Sequence, residues 1–396
     1  MNRGISIVDF QPDPAGDWSP AFAAAFAALA DCAHATVHIP DGDFGVLRPV
    51  VVPNHVSLAM APAARLFAMP GFEGEAVVIK GEKPAGDLDW KAHGYSGRIG
   101  GGIIDGGKLP IHGVIGRWTR RFVLHDLEIF NCLAGGIRIG EQGWYETTLR
   151  GVRVQIDFDV TCLPDAIGVE VVRGSDNQVT QLLTIGYDIG VKGASGSTCW
   201  HQVHVWKGRH RPFKIGFHCG GWNDCYSQCQ VDECQETGFL VDAPFQRFES
   251  CMVQGGGDWL KLEGPQGVAV RLTGRGTHCF FAGTFINPSA KHPFVKVFDG
   301  TLEACTVVGT LYNPHVPRDQ QINQFASGTG GASWQPVVGF AGQGVRLADA
   351  CSAPPQPAEG QIGEVRWMAG DGAATLYLKT PQGWSRCRME LGGQSA

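Results

Sequence analysis

Leu124-His-Asp-Leu-Glu-Ile129, Leu149-Arg-Gly-Val-Arg-Val154, Val179-Thr-Gln-Leu-Leu-Thr184, Trp200-His-Gln-Val-His-Val205, Tyr226-Ser-Gln-Cys-Gln-Val231 and Phe248-Glu-Ser-Cys-Met-Val253 are variations on one line, apolar-x-x-apolar-x-apolar. Phe280-Phe-Ala-Gly-Thr-Phe285 and Thr306-Val-Val-Gly-Thr-Leu311 continue it. A second phrase, Gly-apolar-x-apolar, recurs between the lines: Gly136-Ile-Arg-Ile139, Gly168-Val-Glu-Val171, Gly190-Val-Lys-Gly193, Gly216-Phe-His-Cys219 and Gly238-Phe-Leu-Val241. Trp259-Leu-Lys-Leu262 and Phe294-Val-Lys-Val297 carry the second phrase on without its glycine. The period runs from 21 residues (Leu182 to Val203) to 32 (Cys251 to Gly283). A repeat of that length marks a solenoid. Each repeat holds two or three short alternating segments, and alternation means strands with one face inward. Strands stacked coil upon coil at about 4.8 Å make a parallel β-helix.

The rest of the composition agrees. The 396 residues include 56 glycines, only 18% are charged and 10% are aromatic, as in a turn-rich all-β chain. The net charge of −6 gives no bulk attraction to nucleic acid. No run of about twenty apolar residues could cross a membrane. The start of the chain lacks an apolar signal core, so synthesis in the cytoplasm is expected. Thirteen cysteines are read as small apolar filler: Cys199, Cys225, Cys279 and Cys305 in one column, Cys229 and Cys251 in another. The set His218, Cys219, Cys225, Cys229 and Cys234 lacks zinc-site spacing, so no metal and no cofactor are expected.

Outward from the repeat, Ser19 as N-cap and Pro20 open an alanine-rich helix, Ala21–Ala33, suited to capping the first coil. The expected organisation is an N-terminal strand and capping helix over 1–49, a β-helix over 50–313, a linker and irregular region over 314–361, and a small β module over 362–396. In that module, Ile362–Gly372 and Ala374–Trp384 read as strands with turns at Gly-Asp-Gly and Pro-Gln-Gly.

Val8-Asp-Phe, Asp17-Trp-Ser-Pro-Ala-Phe22, Ile39-Pro-Asp-Gly-Asp-Phe44 and Gly100-Gly-Gly-Ile-Ile-Asp-Gly106 resemble the N-terminal signature and a coil of the pectate-lyase-like superfamily of right-handed, single-stranded β-helices. Gln11 stands where that pattern has glycine and Ser19 where it has threonine. The resemblance covers the architecture of residues 5–313. It implies a protein of the polysaccharide lyase, glycoside hydrolase or phage tailspike type, with a polysaccharide partner and a homotrimeric assembly. Its motifs specify fold better than chemistry.

Inward positions of a β-helix are core, so chemistry must come from outward rows and turns. One outward row runs Glu128, Arg153, Leu183, His204, Gln230, Met252, Thr284. The next runs Phe130, Gln155, Ile185, Trp206, Asp232, Gln254, Ile286. His204 then stands beside Gln230, Trp206 beside Asp232, and Lys207 beside Glu233. The expected catalytic residues are His204, Asp232, Glu233 and Arg153. The expected substrate-binding residues are Trp206, Lys207, Arg209, Gln230 and Glu128. An aromatic platform, polar groups and a placed acid or base suit a sugar. The basic turn Lys207–Lys214 suits an anionic one. Elimination at a uronate would use His204 as base and Arg153 or Lys207 to neutralise the carboxylate. Hydrolysis would need a carboxyl pair roughly 5–9.5 Å apart, with Asp232 paired to Glu236 or Asp258. A glycan-binding tail protein with no catalysis is the rival reading, and each outward residue also has a bland role as solvated surface. A third row, Arg138, Glu170, Lys192, His218, Leu240, Lys261 and Lys296, is expected to form a surface or subunit contact. Asp105, His125, Arg150 and His201 are expected to shape turns.

Overall fold

The computed structural model describes residues 2–81, 97–141, 146–208, 214–233, 236–254, 266–286, 294–299, 306–312, 337–340, 343–347, 349–350, 365–370, 373–380 and 383–390. Among them, strands lie in a 19-stranded sheet, a 10-stranded sheet and a 4-stranded C-terminal sheet. The two large sheets pair in parallel from coil to coil, apart from the antiparallel hairpin Val337–Phe340 with Gln343–Leu347. The fold is therefore the parallel β-helix that the repeat predicts.

Each of the six lines from Leu124 to Val253 folds around a corner. Its third residue takes a left-handed conformation: Asp126, Gly151, Gln181, Gln202, Gln228 and Ser250, with φ between 53° and 62°. Polar residues with short or hydrogen-bonding side chains, and glycine, tolerate that region best. The corner divides the larger sheet into a first face, such as Val123–His125, and a second face, such as Glu128–Cys132. The third face is the smaller sheet, as in Gly135–Ile139.

The first apolar residue of each line stacks in the core: Leu124, Leu149, Val179, Trp200, Tyr226 and Phe248 are paired in sequence. Trp200 and Tyr226 lie with planes 1° apart, and Phe248 and Phe281 stack at 4.4 Å. Each such ring buries about 150–250 Å², worth roughly 4–6 kcal/mol as an upper estimate. The register corrects the sequence reading at this point. Phe281, not Phe280, follows Phe248, and Val307, not Thr306, follows Phe281. Glu249 pairs with Ala282 and Cys251 with Gly283, so Ser250 has no counterpart and the next coil runs straight through the corner.

The glycine of the second phrase has a packing cause. A Cβ on Gly136, Gly190 or Gly216 would lie 2.0, 2.2 or 2.7 Å from the side chain of Val154, Val205 or Val231 respectively. The last apolar residue of each line fills the space that a side chain would need. Continuing upward, Gly238–Val241 is followed by Ala269–Leu272 within Gln266–Leu272, so alanine takes the glycine's place, and Trp259–Leu262 lies outside the described residues. The third outward row is thus Leu240, Arg271, Asp299 instead of Leu240, Lys261, Lys296.

Two other expectations change. Cys199 is exposed and Cys225 half-buried, because the residue before each stacked apolar points outward. Arg247, not Cys279, follows Cys225 in that column. Cys229 and Cys251 are buried, as expected. The capping helix is Ser19–Ala27, with Trp18 at the N-cap position and Ser19 already helical. The side chain that organises this start is Asp17, whose Oδ1 accepts from the Ser19 N–H and hydroxyl and from the Leu47 N–H, each within 2.9 Å. Burial raises the Asp17 pKa, but these hydrogen bonds outweigh it and the carboxyl is held below its usual range. Ala21, Phe22, Ala25 and Phe26 form the buried side of the helix.

Turn lengths are unequal around the coil. After the second face, the chain runs from Gln155 to Ile167, from Trp206 to Ile215 and from Gln254 to Gln266 before the next strand. The same turn needs only Cys132 to Gly135 and Ile185 to Ile189 in other coils. In the C-terminal sheet, Val365–Gly370, Ala373–Thr380 and Gly383–Glu390 form two successive antiparallel pairs at the expected turns.

Candidate functional site

The second face carries both predicted rows in register. Glu128, Arg153, Leu183, His204, Gln230 and Met252 follow one another, as do Phe130, Gln155, Ile185, Trp206, Asp232 and Gln254. His204 is opposite Gln230, and its ring leans across to the next rung. Nε2 lies 2.9 Å from Asp232 Oδ2. Gln230 Nε2 donates to the other oxygen, Oδ1, at 2.8 Å. An ionised carboxylate only accepts, so His204 Nε2 carries the proton and Nδ1 keeps its lone pair. His204 is 38% exposed and Asp232 20%. An outward imidazole oriented by a carboxylate, itself oriented by an amide, is equipped to take up a proton.

Beside this pair, the Trp206 indole N–H donates to Glu233 Oε2 at 3.1 Å, and Phe158 packs edge-on against the Trp206 ring at 5.8 Å. Phe158 is an exposed large apolar residue, so the two rings offer a partly open aromatic corner. Lys207 and Glu233 do pair, at 3.9 Å, but both are buried, at 3% and 7% exposure. Parity explains this. Trp206 and Asp232 point out, so the residues after them point in. Burial lowers the Lys207 pKa while Glu233 acts against it. The pair holds the platform from below and does not reach the surface.

Arg153 is outward and exposed, and its guanidinium donates to Gln155 Oε1 at 2.9 Å through Nε. Leu183 separates it from His204 by one coil on each side, roughly 10 Å in all. Glu128 is exposed one coil further on. Arg209 and Asp258 lie outside the described residues. Lys214, at the far end of the basic turn, binds Asp165 at 2.8 Å and Asp188 at 3.2 Å, which turns it towards the third face. On that face Arg138, Glu170 and Lys192 pair with one another at 3.2 and 2.9 Å. Among the described residues no group of three or more His, Cys, Asp or Glu is arranged to hold a metal ion.

Sequence reading missed a groove of about 860 Å³ on the first face, over the early coils. His34, Thr36, Ser57, Arg98, His125 and Asp126 contribute to its lining. The available signal was the column Ala59, Gly100, His125: two residues with almost no side chain, then an imidazole.

No protein-family model matches the sequence, and no curated relative matches it. Solved structures do match. ORF18 of Geobacillus virus E2 superposes with a TM-score of 0.61 at 13% identity, covering 98% of this chain and 74% of its own. The gp42 tailspike of Acinetobacter phage vb_AbaP_AS12 gives 0.54 at 10% identity, covering 99% and 83%. The A-module of the mannuronan C-5 epimerase AlgE6 of Azotobacter vinelandii gives 0.57 at 12% identity, covering 89% and 100%. At these identities the likeness is one of fold: this chain shares with these structures an all-β parallel β-helix.

Proposed function

We propose that the protein cleaves an acidic polysaccharide lying across the second face, by elimination at a uronate residue. The observation that carries this reading is the His204–Asp232 contact at 2.9 Å, with Gln230 fixing the far side of the carboxylate. In this mechanism His204 Nδ1 takes the C5 proton, and Asp232 stabilises the imidazolium that results. The C4–oxygen bond breaks as the C4–C5 double bond forms, and the departing oxygen takes a proton from solvent. Arg153 stands along the same row to meet the substrate carboxylate, since a guanidinium recognises carboxylates bidentately. Trp206 and Phe158 supply the apolar surface for a sugar ring.

Hydrolysis fits the described residues less well. It needs two carboxyl groups working on opposite sides of one bond. Whichever carboxyl were its partner, Glu236 or Asp258, both oxygens of Asp232 are already engaged, one by His204 and one by Gln230.

A panel of acidic bacterial exopolysaccharides, followed for chain length and ultraviolet absorbance together, tests the proposal. Shortened chains with new absorbance are the expected result. Shortening without absorbance means hydrolysis. Binding without shortening means a tail protein that holds its glycan without cutting it.

A further inference from the structure

We propose that the groove on the first face is a second saccharide site, which binds a short uronate-containing oligosaccharide separately from the His204 site. The inference rests on the reading of the protein as acting on acidic glycan. It stands on three structural observations.

The first is shape. The hollow exists because Ala59 and Gly100 follow one another in an outward row that elsewhere carries His38, His125 and Arg150. A neighbouring outward row, with Thr36, Ser57 and Arg98, forms one wall. Its volume of about 860 Å³ falls within the ~300–1,000 Å³ of small-ligand sites. That suits a short oligosaccharide.

The second is the imidazole at its end. A Cβ on Gly100 would sit 2.2 Å from His125 Nε2 and Cε1, so the ring lies directly on the bare backbone of Gly100. Nδ1 is 2.9 Å from Asp126 Oδ2. The carboxylate accepts, so Nδ1 holds the proton and Nε2, on the groove side, keeps a lone pair to accept from a sugar hydroxyl. Asp126 is itself fixed. It is the left-handed corner residue, and its N–H donates to the Arg150 carbonyl at 3.0 Å. The other oxygen lies over Gly151, where a Cβ would be 2.9 Å away.

The third is the polar complement of the wall. Arg98 is exposed at the groove and brings the group best matched to a carboxylate. Thr36 and Ser57 add hydroxyls, and Met60 and Pro62 add apolar surface for a ring face. Hydroxyls, an imidazole acceptor, a guanidinium and a small apolar patch match a uronate sugar.

The test is a titration of the full chain, labelled with nitrogen-15 at histidine, with a galacturonate trimer. The readout is the imidazole resonances of His125 and His204. The groove site predicts that His125 shifts along its own saturation curve. Arg98→Ala should weaken that curve at least tenfold while leaving the His204 response unchanged. His125→Gln, which keeps a hydrogen-bonding group of similar reach, should weaken binding less, read through the imidazole of His34, which also lines the groove. Shifts at His204 alone would overturn the groove site and leave the proposed function standing. Shifts at His125 alone would support the groove and count against the His204 site. Shifts at neither would overturn uronate binding at both.

Discussion

His204 Nε2 and Asp232 Oδ2 lie 2.9 Å apart although 28 residues separate them along the chain. The contact is diagonal: His204 is paired with Gln230, and Asp232 with Trp206. It depends on two adjacent coils being in register, so it reports on the rod as well as on the chemistry. Asp232→Asn keeps the shape, but Gln230 holds the one remaining oxygen, so an uncharged amide NH2 faces His204 and favours the other tautomer of the imidazole. His204→Ala removes the base. Both are expected to lower cleavage by about 10²–10⁴-fold, with circular dichroism and melting temperature unchanged. Full activity in both variants would remove the site from this face.

A buried carboxyl gives the protein a pH signature. Asp224 is 0% exposed, accepts from the Thr198 N–H at 2.8 Å, and burial pushes its pKa up to about 7. The unfolded group titrates near 3.8. Below that value both states are protonated and the contribution to stability is fully present. Between about pH 4 and 7 only the unfolded state ionises, so stability falls, by up to about 4 kcal/mol. Asp224→Asn should therefore be more stable than the parent at pH 8 by more than it is at pH 4. Thermal melts of both proteins at the two pH values measure this, and a pH-independent difference would contradict it.

The glycine column makes a sharp prediction about packing. In Gly190→Ala the new methyl would meet Val205 Cγ1 at 2.2 Å and the Gly216 carbonyl at 2.8 Å. Overpacking of this kind costs about 1–3 kcal/mol. Adding Val205→Ala makes room and should recover part of the loss, which a double-mutant cycle by urea denaturation would detect.

Lys80 is fully buried and its ammonium reaches the carbonyls of Pro53, Asn54 and Val56, the last two at 3.0 and 2.8 Å. It ties the turn before Val56–Met60 to the third face. Lys80→Met fills the same volume and leaves those carbonyls without this donor. A loss of about 3 kcal/mol is expected, since each unsatisfied buried acceptor costs about 1–3 kcal/mol. An unchanged midpoint in denaturant would show that water replaces the ammonium.

Much of the architecture was legible because the repeat is governed by parity. One residue in, one out, then a corner that turns the chain assigns each outward row, including the one that brings His204 to Gln230 and Trp206 to Asp232. The reading slipped where the corner vanishes, after Ser250, because nothing in the letters Phe280-Phe-Ala-Gly says that a residue has been dropped. Lys207 and Glu233 carry charges that suit a surface, yet the same parity places them inward. Cysteine is a common core filler, yet the parity of Cys199 is outward. The groove was the hardest to see. It is made by what Ala59 and Gly100 lack, and its imidazole is oriented by the very next residue, a contact that only the left-handed turn at Asp126 creates.

The uneven turns along one seam separate two kinds of inheritance. The ladder of paired strands tolerates a change of length only at its corner, where Ser250 has no counterpart in the next coil; within a face, one residue more or less reverses every side chain beyond it. The seam from Gln155 to Ile167, Trp206 to Ile215 and Gln254 to Gln266 varies freely between coils, and it borders the row that holds Trp206 and Asp232. Long surface insertions add little entropy cost. A lineage could therefore rewrite which surface the molecule adheres to by trading loops at this margin, while handing down the rod beneath it unaltered.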